Sequence, residues 1–334
     1  MKKLLLNFIL LSIIHLSAMS QYFITTERKI KASIVRNNSE GPEYMYNGGL
    51  LDLLEREDCV VGPSDIAALT DEEDHLYGDW RRAALESRHI GSIVSQSQHN
   101  EFFTIGLLRN CSDLLGMLAG LQNMKSSLTT GIGDSRDLQG SGLAGEKPLR
   151  VGLVWIDAHA DFNTPETTLS GMLGGMPVAM ASGICLTRLR LTAGLDPALP
   201  TKYITMTCLR DVDPLEQDLL DRSQCEYISV GDVRNLSENI NDQIERLCNL
   251  TDIVYVHIDM DVLDPAEVSG HPLTAPEGPS SRELAAALEI MFTHEKVNAI
   301  GIASIPYGQR DPNGESLAAA YRLIEGAIKG LKSR

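Results

Sequence analysis

The sequence predicts an α/β protein with a mostly parallel sheet covered on both faces, and three observations carry that expectation. Apolar runs of strand length alternate with helical segments along most of the 334 residues. Two of the runs, Leu153-Val154-Trp155-Ile156 and Ile253-Val254-Tyr255-Val256-His257-Ile258, are continuously apolar, the mark of strands buried on both faces. Both stop abruptly in ligand-type side chains, Asp157, His159 and Asp161 after the first and Asp259 and Asp261 after the second. In parallel sheets the ligand site lies at the carboxyl ends of the strands, where both groups fall.

Taken in order, residues 21–43 give weak signals, and residues 44–56 form a helix carrying Leu50, Leu51, Leu53 and Leu54. Residues 67–74 read as a polar loop and 80–88 as a helix; 92–97 and 104–108 are short apolar pieces around His99. Residues 114–124 make a compact helix whose Gly116 and Gly120 share one side, suited to close packing on a sheet. A Gly-, Ser- and Thr-rich loop spans 126–148; its Gly140-Ser141-Gly142-Leu143-Ala144-Gly145 matches the dinucleotide pattern only by chance, because it precedes a strand. After the first acid-rich strand end come a loop (164–175), a small-residue helix (176–183), a strand (203–209) and a helix through about residue 221. A short strand (227–230) and a helix (237–248) lead to the second acid-rich strand end. A Pro- and Gly-containing loop (263–280), a helix (281–292), a strand (299–304) and a closing helix (315–329) complete the chain.

With 43% hydrophobic and 22% charged residues the composition is that of an ordinary globular chain, read as one domain over residues 21–334. The net charge of −16 and the lack of any Lys or Arg cluster exclude nucleic acid and anionic membranes as partners and favour metal ions and small cationic ligands. Residues 1–20 have the three-part layout of a candidate signal peptide: two lysines, an apolar stretch, then small residues around a cut after Ser20. Six cysteines without disulfide or zinc spacing instead read as buried thiols of a reducing compartment. Export and a cytoplasmic location therefore both stand.

If the chain stays extended past Ile156, Asp157, His159 and Asp161 project to one side at steps of two. Four carboxylates at two central strand ends would repel one another severely in a low-dielectric interior. A pair of divalent cations between them is the simplest remedy.

The pairing of Asp157-Ala158-His159-Ala160-Asp161-Phe162-Asn163 with Asp259-Met260-Asp261-Val262-Leu263-Asp264-Pro265 resembles the ureohydrolase family of arginases and agmatinases. The similarity runs from about residue 41 to the carboxyl terminus. It implies a three-layer α/β/α arginase-like fold with an eight-stranded sheet, assembled into trimers or hexamers. It also implies a two-manganese centre whose bridging hydroxide attacks a guanidinium carbon and releases urea. Carried over, the metal ligands are Asp157, His159, Asp161, Asp259 and Asp261, and Asp161 also orients the hydroxide. Asn163 and Ser170 match the residues that hold a substrate α-carboxylate, and Asp213 with Glu216 those near its α-amino group; by themselves Asp213 and Glu216 read as a helix start.

Three positions depart from the family's pattern. Cys111, in Leu108-Arg109-Asn110-Cys111-Ser112, stands where the resemblance places the sixth ligand, a His. As a thiolate it would shift preference from manganese toward zinc, iron, cobalt or nickel; as a thiol it would leave one metal weakly held. The proton-carrying loop His falls at Gly174, and His271 is its candidate replacement, with a structural imidazole bonding a loop carbonyl as the alternative. The Glu that receives a guanidinium falls at Ala303, removing a desolvated ion pair worth on the order of several kcal/mol and arguing against arginine as the substrate. Three functions follow: a metal-dependent C–N hydrolase acting on an amino-acid-like substrate, a non-catalytic amino-acid-binding or assembly protein, and a metal-dependent amide deacylase.

Overall fold

A computed structural model describes residues 29–123 and 147–334. The candidate signal peptide, most of the 126–148 loop and its Gly-rich match lie outside the described residues. Eight strands form one sheet: β1 (Lys31–Asn37), β2 (Val60–Ala67), β3 (Phe103–Leu108), β4 (Val151–Ile156), β5 (Ile204–Thr207), β6 (Glu226–Ile228), β7 (Ile253–Asp259) and β8 (Val297–Ala303). Their order is β2-β1-β3-β8-β7-β4-β5-β6, and every neighbouring pair is parallel. Among the described residues, the helices of seven or more residues are α1 (Asp79–His99), α2 (Leu114–Gln122), α3 (Pro214–Leu220), α4 (Glu238–Leu250), α5 (Ser281–Met291) and α6 (Glu315–Lys332).

Strand alternation splits the interior into two cores, which makes the molecule three layers deep. On one face Val154, Ile156, Val256 and Ile258 pack with Ile244 of α4, Leu288 of α5 and Leu323 of α6. On the other, Leu153, Trp155 and Tyr255 pack with Ile90 and Val94 of α1 and Leu118 of α2. β3, β4 and β7 are buried along their whole length, as continuous apolar runs require.

Several elements differ from the sequence reading. β1 and β2 were not anticipated: β1 carries Lys31 and Arg36 at its ends, and the edge strand β2 contains Gly62 and Pro63, which an edge tolerates. Residues 92–97 continue α1, whose Ser- and Gly-rich second half is helical because it packs on α2. The polar loop holds a one-turn helix, Asp71–Asp74, entered through a reciprocal capping box between Thr70 and Glu73. Gly116 and Gly120 do pack closely, but against α1 rather than the sheet. A Cβ at Gly116 would stand 2.3 Å from Ser87 O, and one at Gly120 would stand 2.5 Å from Gly91 O. All six cysteines are free, and four of them are buried.

This contact sets a prediction. Gly116→Ala forces α1 and α2 apart and should destabilise the fold by about 2–3 kcal/mol, an overpacking cost. Urea denaturation with an unchanged midpoint would show that the helices can separate freely.

Candidate metal centre

The site is assembled on β3, β4 and β7, around β8, at the carboxyl edge of the sheet. The first motif does not stay extended. β4 ends at Ile156, and Asp157 Oδ1 accepts the His159 amide at 2.8 Å, a side-chain turn that bends the chain over the strand end. Asp161 then takes a left-handed conformation, φ 48°, unusual for a residue with a side chain. The convergence of Asp157, His159 and Asp161 thus comes from a turn rather than from strand alternation. The second motif repeats the device: Asp259 Oδ1 accepts the Asp261 amide at 2.9 Å, opening the short 3-10 turn Met260–Val262.

Three groups of ligand-type side chains result. Asp157, His159 and Asp261 meet with His159 Nδ1 3.4 Å from Asp157 Oδ1 and 3.2 Å from Asp261 Oδ2. Cys111, Asp157 and Asp161 form a second group, and Asp259, Asp261 and His271 a third. Asp157, Asp259 and Asp261 are all at most 4% exposed and Asp161 is 8% exposed. Burial, reinforced by the charges of Asp261 and Asp161, pushes Asp157 well above the usual carboxylate range. Burial and Asp259 do the same to Asp161, and burial and Asp261 raise Asp259. Burial opposes charge on Asp261 as well, but contacts with His159 hold it low. Burial likewise opposes protonation of His159, yet Asp157 and Asp261 raise it to about 12. The cluster therefore demands positive charge, and one of its carboxylate oxygens, Asp261 Oδ1, is buried without a hydrogen-bond partner. Hard carboxylate oxygens with one imidazole fit divalent cations.

Cys111 is buried at the start of a short turn after β3, its Sγ 2.8 Å from Asp259 Oδ2 and 3.9 Å from Asp157 Oδ2. Burial and then the Asp259 charge push its thiol well above the ordinary range, so without a cation it keeps its proton and donates it to Asp259. His271 lies 3.8 Å through Nε2 from Asp259 Oδ1 and 3.8 Å through Nδ1 from Asp261 Oδ2. Its Nδ1 accepts the Leu273 amide at 3.2 Å, so a neutral ring carries its proton on Nε2. The ring is thus bonded within its own loop, through an amide rather than a carbonyl.

The residues read as substrate contacts divide. Asn163 and Asp213 come together, with Asn163 Nδ2 donating to Asp213 Oδ2 at 3.1 Å. Ser170 is exposed and its hydroxyl accepts the Met172 amide at 3.2 Å; the structure shows no bond between it and Asn163. Glu216 is buried and committed internally, accepting the Phe162 amide at 2.6 Å and the Asp213 amide at 3.2 Å, which ties α3 to the first motif. Ala303 is fully buried and pairs with both Leu108 and Asp259, leaving an apolar wall between β3 and β7. Gly174 sits in an open 3-10 turn, Leu173–Gly175, where an added Cβ meets nothing within 4 Å.

Sequence reasoning passed over Arg210. It donates from Nε to Pro276 O at 2.8 Å and from Nη2 to Asp261 O and Ala275 O at 3.1 Å each, while its own amide donates to Ala158 O at 2.9 Å. One residue thus staples both ligand turns. The signal available was an Arg three residues beyond a buried strand.

A three-layer parallel α/β sheet with acids and imidazoles clustered at its central strand ends defines a class, α/β proteins whose candidate site lies at the carboxyl edge of the sheet and could hold metal ions. Residues 138–327, more than half of the chain, match the Arginase family model, and the chain belongs to the arginase family, hydrolases of the ureohydrolase type. Among its relatives, an arginase of Bacillus caldovelox is 26% identical over 259 residues, 75% of this chain and 79% of the relative. The hepatic arginase of Aquarana catesbeiana is 28% identical over 287 residues, 83% of this chain and 82% of the relative. The native Bacillus caldovelox arginase structure at pH 5.6 superposes with a TM-score of 0.72 at 22% identity, covering 90% of this chain and 98% of that one. A formimidoylglutamase from Bacillus subtilis subsp. subtilis str. 168 superposes with a TM-score of 0.64 at 15% identity, covering 91% and 88%. At such identities the structural likeness speaks for the fold.

The electrostatics predict a sign. Asp157, Asp161 and Asp259 have raised values, so the folded protein keeps protons that the unfolded chain releases above about pH 4. His159, raised from 6.5 to about 12, stabilises fully below 6.5 and loses that contribution as pH rises toward 12. Metal-free protein should therefore melt at progressively lower temperature as pH rises from about 5 to about 9. Manganese at about a hundred times its dissociation constant should add about 2.7 kcal/mol and flatten the profile. Parallel melting profiles with and without metal would contradict this.

Proposed function

We propose that the chain is a metal-dependent hydrolase that cleaves a C–N bond, guanidinium or related, of an amino-acid-like small molecule. The observation that carries the reading is the convergence of Asp157, His159, Asp161, Asp259 and Asp261 in three overlapping groups of ligand-type side chains, with Asp261 Oδ1 buried and unpartnered. Five ligand-type groups in one buried cluster are costly unless cations compensate them. Two divalent ions, manganese by the hardness of the carboxylates, would supply Lewis acidity and an acidified water at neutral pH. Asp157, His159, Asp161, Asp259 and Asp261 would hold them, with Cys111 as a further donor once a cation displaces its proton; zinc, iron, cobalt or nickel would then compete.

The chain's own residues do the remaining work. Asp161, fixed by its left-handed backbone, orients the attacking water. His271, with its proton on Nε2 and that nitrogen facing Asp259, can hydrogen-bond the departing nitrogen, and it delivers a proton only as the imidazolium, when Nδ1 takes up a proton and releases the Leu273 amide; an imidazole in the neutral tautomer has no lone pair to offer a cation through Nε2. Asn163 and Asp213 present an amide and a carboxylate side by side, suited to the backbone groups of an amino acid, and Glu216 holds both turns. Ser170 joins them only if its loop closes onto the substrate. The apolar wall at Ala303 supports a reacting group other than a fully charged guanidinium. Homo-oligomers, trimeric or hexameric, are the proposed assembly, and residues 21–334 the single domain.

A second reading, a non-catalytic amino-acid-binding protein, is favoured by the hydrogen bond from Cys111 to Asp259, which satisfies one carboxylate without metal. An amide deacylase is favoured by Ala303 but gives no role to the Asn163–Asp213 pair.

Elemental analysis of protein purified without added metal separates them. Close to two equivalents per chain, with urea released from a guanidino amino acid or formamide from a formimino one, supports the hydrolase. One equivalent or none after incubation with manganese, nickel, cobalt and zinc sinks it, and amide deacylation without urea selects the third reading. In an active enzyme His271→Ala should lower kcat by about 10²-fold or more. Cys111→His should raise manganese-supported activity; if it does not, Cys111 is not what limits the site.

A further inference from the structure

The loop that carries His271 hangs between two clamps. Its far end is held by Arg210 on Ala275 O and Pro276 O, and by Arg234, whose Nη2 donates to Glu277 O at 3.1 Å and to Gly278 O at 2.9 Å. Its near end is held at Glu267, which lies outside every role assigned so far. Glu267 Oε1 accepts the Ser281 amide at 2.9 Å, Oε2 accepts the Ser281 hydroxyl and, at 3.3 Å, Arg322 Nη1, and the Glu267 carbonyl accepts the Ser316 hydroxyl at 3.2 Å. The first residue of α5 and two residues of α6 thus converge on one position of the loop. Helix capping alone does not account for it, since Ser280 and Glu283 already close a reciprocal capping box at the start of α5.

Between the clamps, residues 268–274 form the tip. The His271 amide donates to Val268 O at 2.8 Å, so the turn that presents the imidazole starts at the residue directly after Glu267. A Cβ on Gly270 would stand 1.8 Å from Arg310 O, so the tip is seated against the turn after β8 with no room to slide. A free imidazole exchanges its proton between the two nitrogens, whereas one whose Nδ1 holds the Leu273 amide keeps the proton on Nε2, 3.8 Å from Asp259 Oδ1. We propose that Glu267 is a positioning residue for His271: by fixing the start of the tip on α5 and α6 it keeps the Leu273 amide on Nδ1 and the Nε2 proton turned toward Asp259. The assignment rests on the part given to His271 in the hydrolase reading and adds to it a residue that touches neither metal ligand nor substrate.

The test is nuclear magnetic resonance of the ring nitrogens in metal-free protein carrying isotope-labelled histidine, at about pH 9, above the ordinary imidazole range. His271→Gln removes the signal and so identifies it. The wild type should show one His271 tautomer, protonated at Nε2 and bare at Nδ1. Glu267→Ala should collapse this pair of shifts toward the average of two exchanging tautomers, and Arg322→Met should do so in part. Glu267→Gln, which can still accept the Ser281 amide, should keep most of the wild-type pattern. Ser280→Ala, which opens the α5 capping box and leaves Glu267 in place, should lower the melting temperature without moving the His271 shifts. A wild-type pattern in Glu267→Ala overturns the proposal, and if that variant does not fold, a wild-type pattern in Arg322→Met overturns it. So does an averaged ring in the wild type, or a shift in Ser280→Ala as large as that in Glu267→Ala, which would make Glu267 a helix cap and nothing more. In turnover of a guanidino or formimino amino acid, Glu267→Ala should lower kcat about tenfold with KM unchanged, and should add nothing in a His271→Ala background. Turnover that His271→Ala leaves intact would overturn the part given to His271 above, a result distinct from these.

Discussion

The structure is organised around an electrostatic debt. Four carboxylates from two strand ends occupy one buried volume, and burial together with mutual repulsion drives Asp157, Asp161 and Asp259 toward holding protons. The surroundings are built to keep them there regardless. Each motif's first Asp is tied to the amide two residues on, Arg210 grips both turns, and Glu216 anchors the backbone after Asp161. A fold maximising stability alone would fill this volume with apolar side chains. Its retention is an argument for cations that the surrounding chemistry requires.

Beneath the ligands the support is aromatic. Trp155 Nε1 donates to His159 O at 3.1 Å, and the Trp155 ring stacks on His257 with centroids 4.5 Å apart. Burial drives His257 down to about 3, so it stays neutral, with Nδ1 2.8 Å from the Tyr255 hydroxyl. The turn carrying the His159 imidazole is thereby seated on a floor that cannot acquire charge. Rigid elements below and staples above hold the geometry of the acidic cluster.

Much of this was legible in the sequence, for a physical reason. A strand buried on both faces must be apolar throughout, so the acids after Ile156 and Ile258 stood out as costly, and cost implied compensation. β2 was illegible because edge position relaxes the same rule, admitting Gly62 and Pro63, and β1, though paired on both sides, breaks the apolar run with Lys31, Ser33 and Arg36. Residues 92–97 hid inside a helix because packing on α2 outweighs their weak propensity. The way the first motif converges was misjudged as strand alternation, since the hydrogen bond from an Asp side chain to an amide two residues on leaves no periodic trace. Arg210 escaped notice because its guanidinium binds backbone carbonyls far along the chain, which leave no trace in side-chain pattern.

The strand order has a consequence for how the chain is made. β8, the last strand, lies between β3 and β7, so the sheet cannot close until nearly the whole chain is available. Until then the amino-terminal strands and the β4–β7 block are separate sheets, each with an unpaired inner edge. The seam between them runs beneath the site, where Cys111 comes from one side and Asp259 from the other. During synthesis both edges are open to pairing with other chains, the usual hazard of long-range parallel topology. A cation that bridges the seam would arrive only after its final strand is in place, locking the last joint rather than guiding the first.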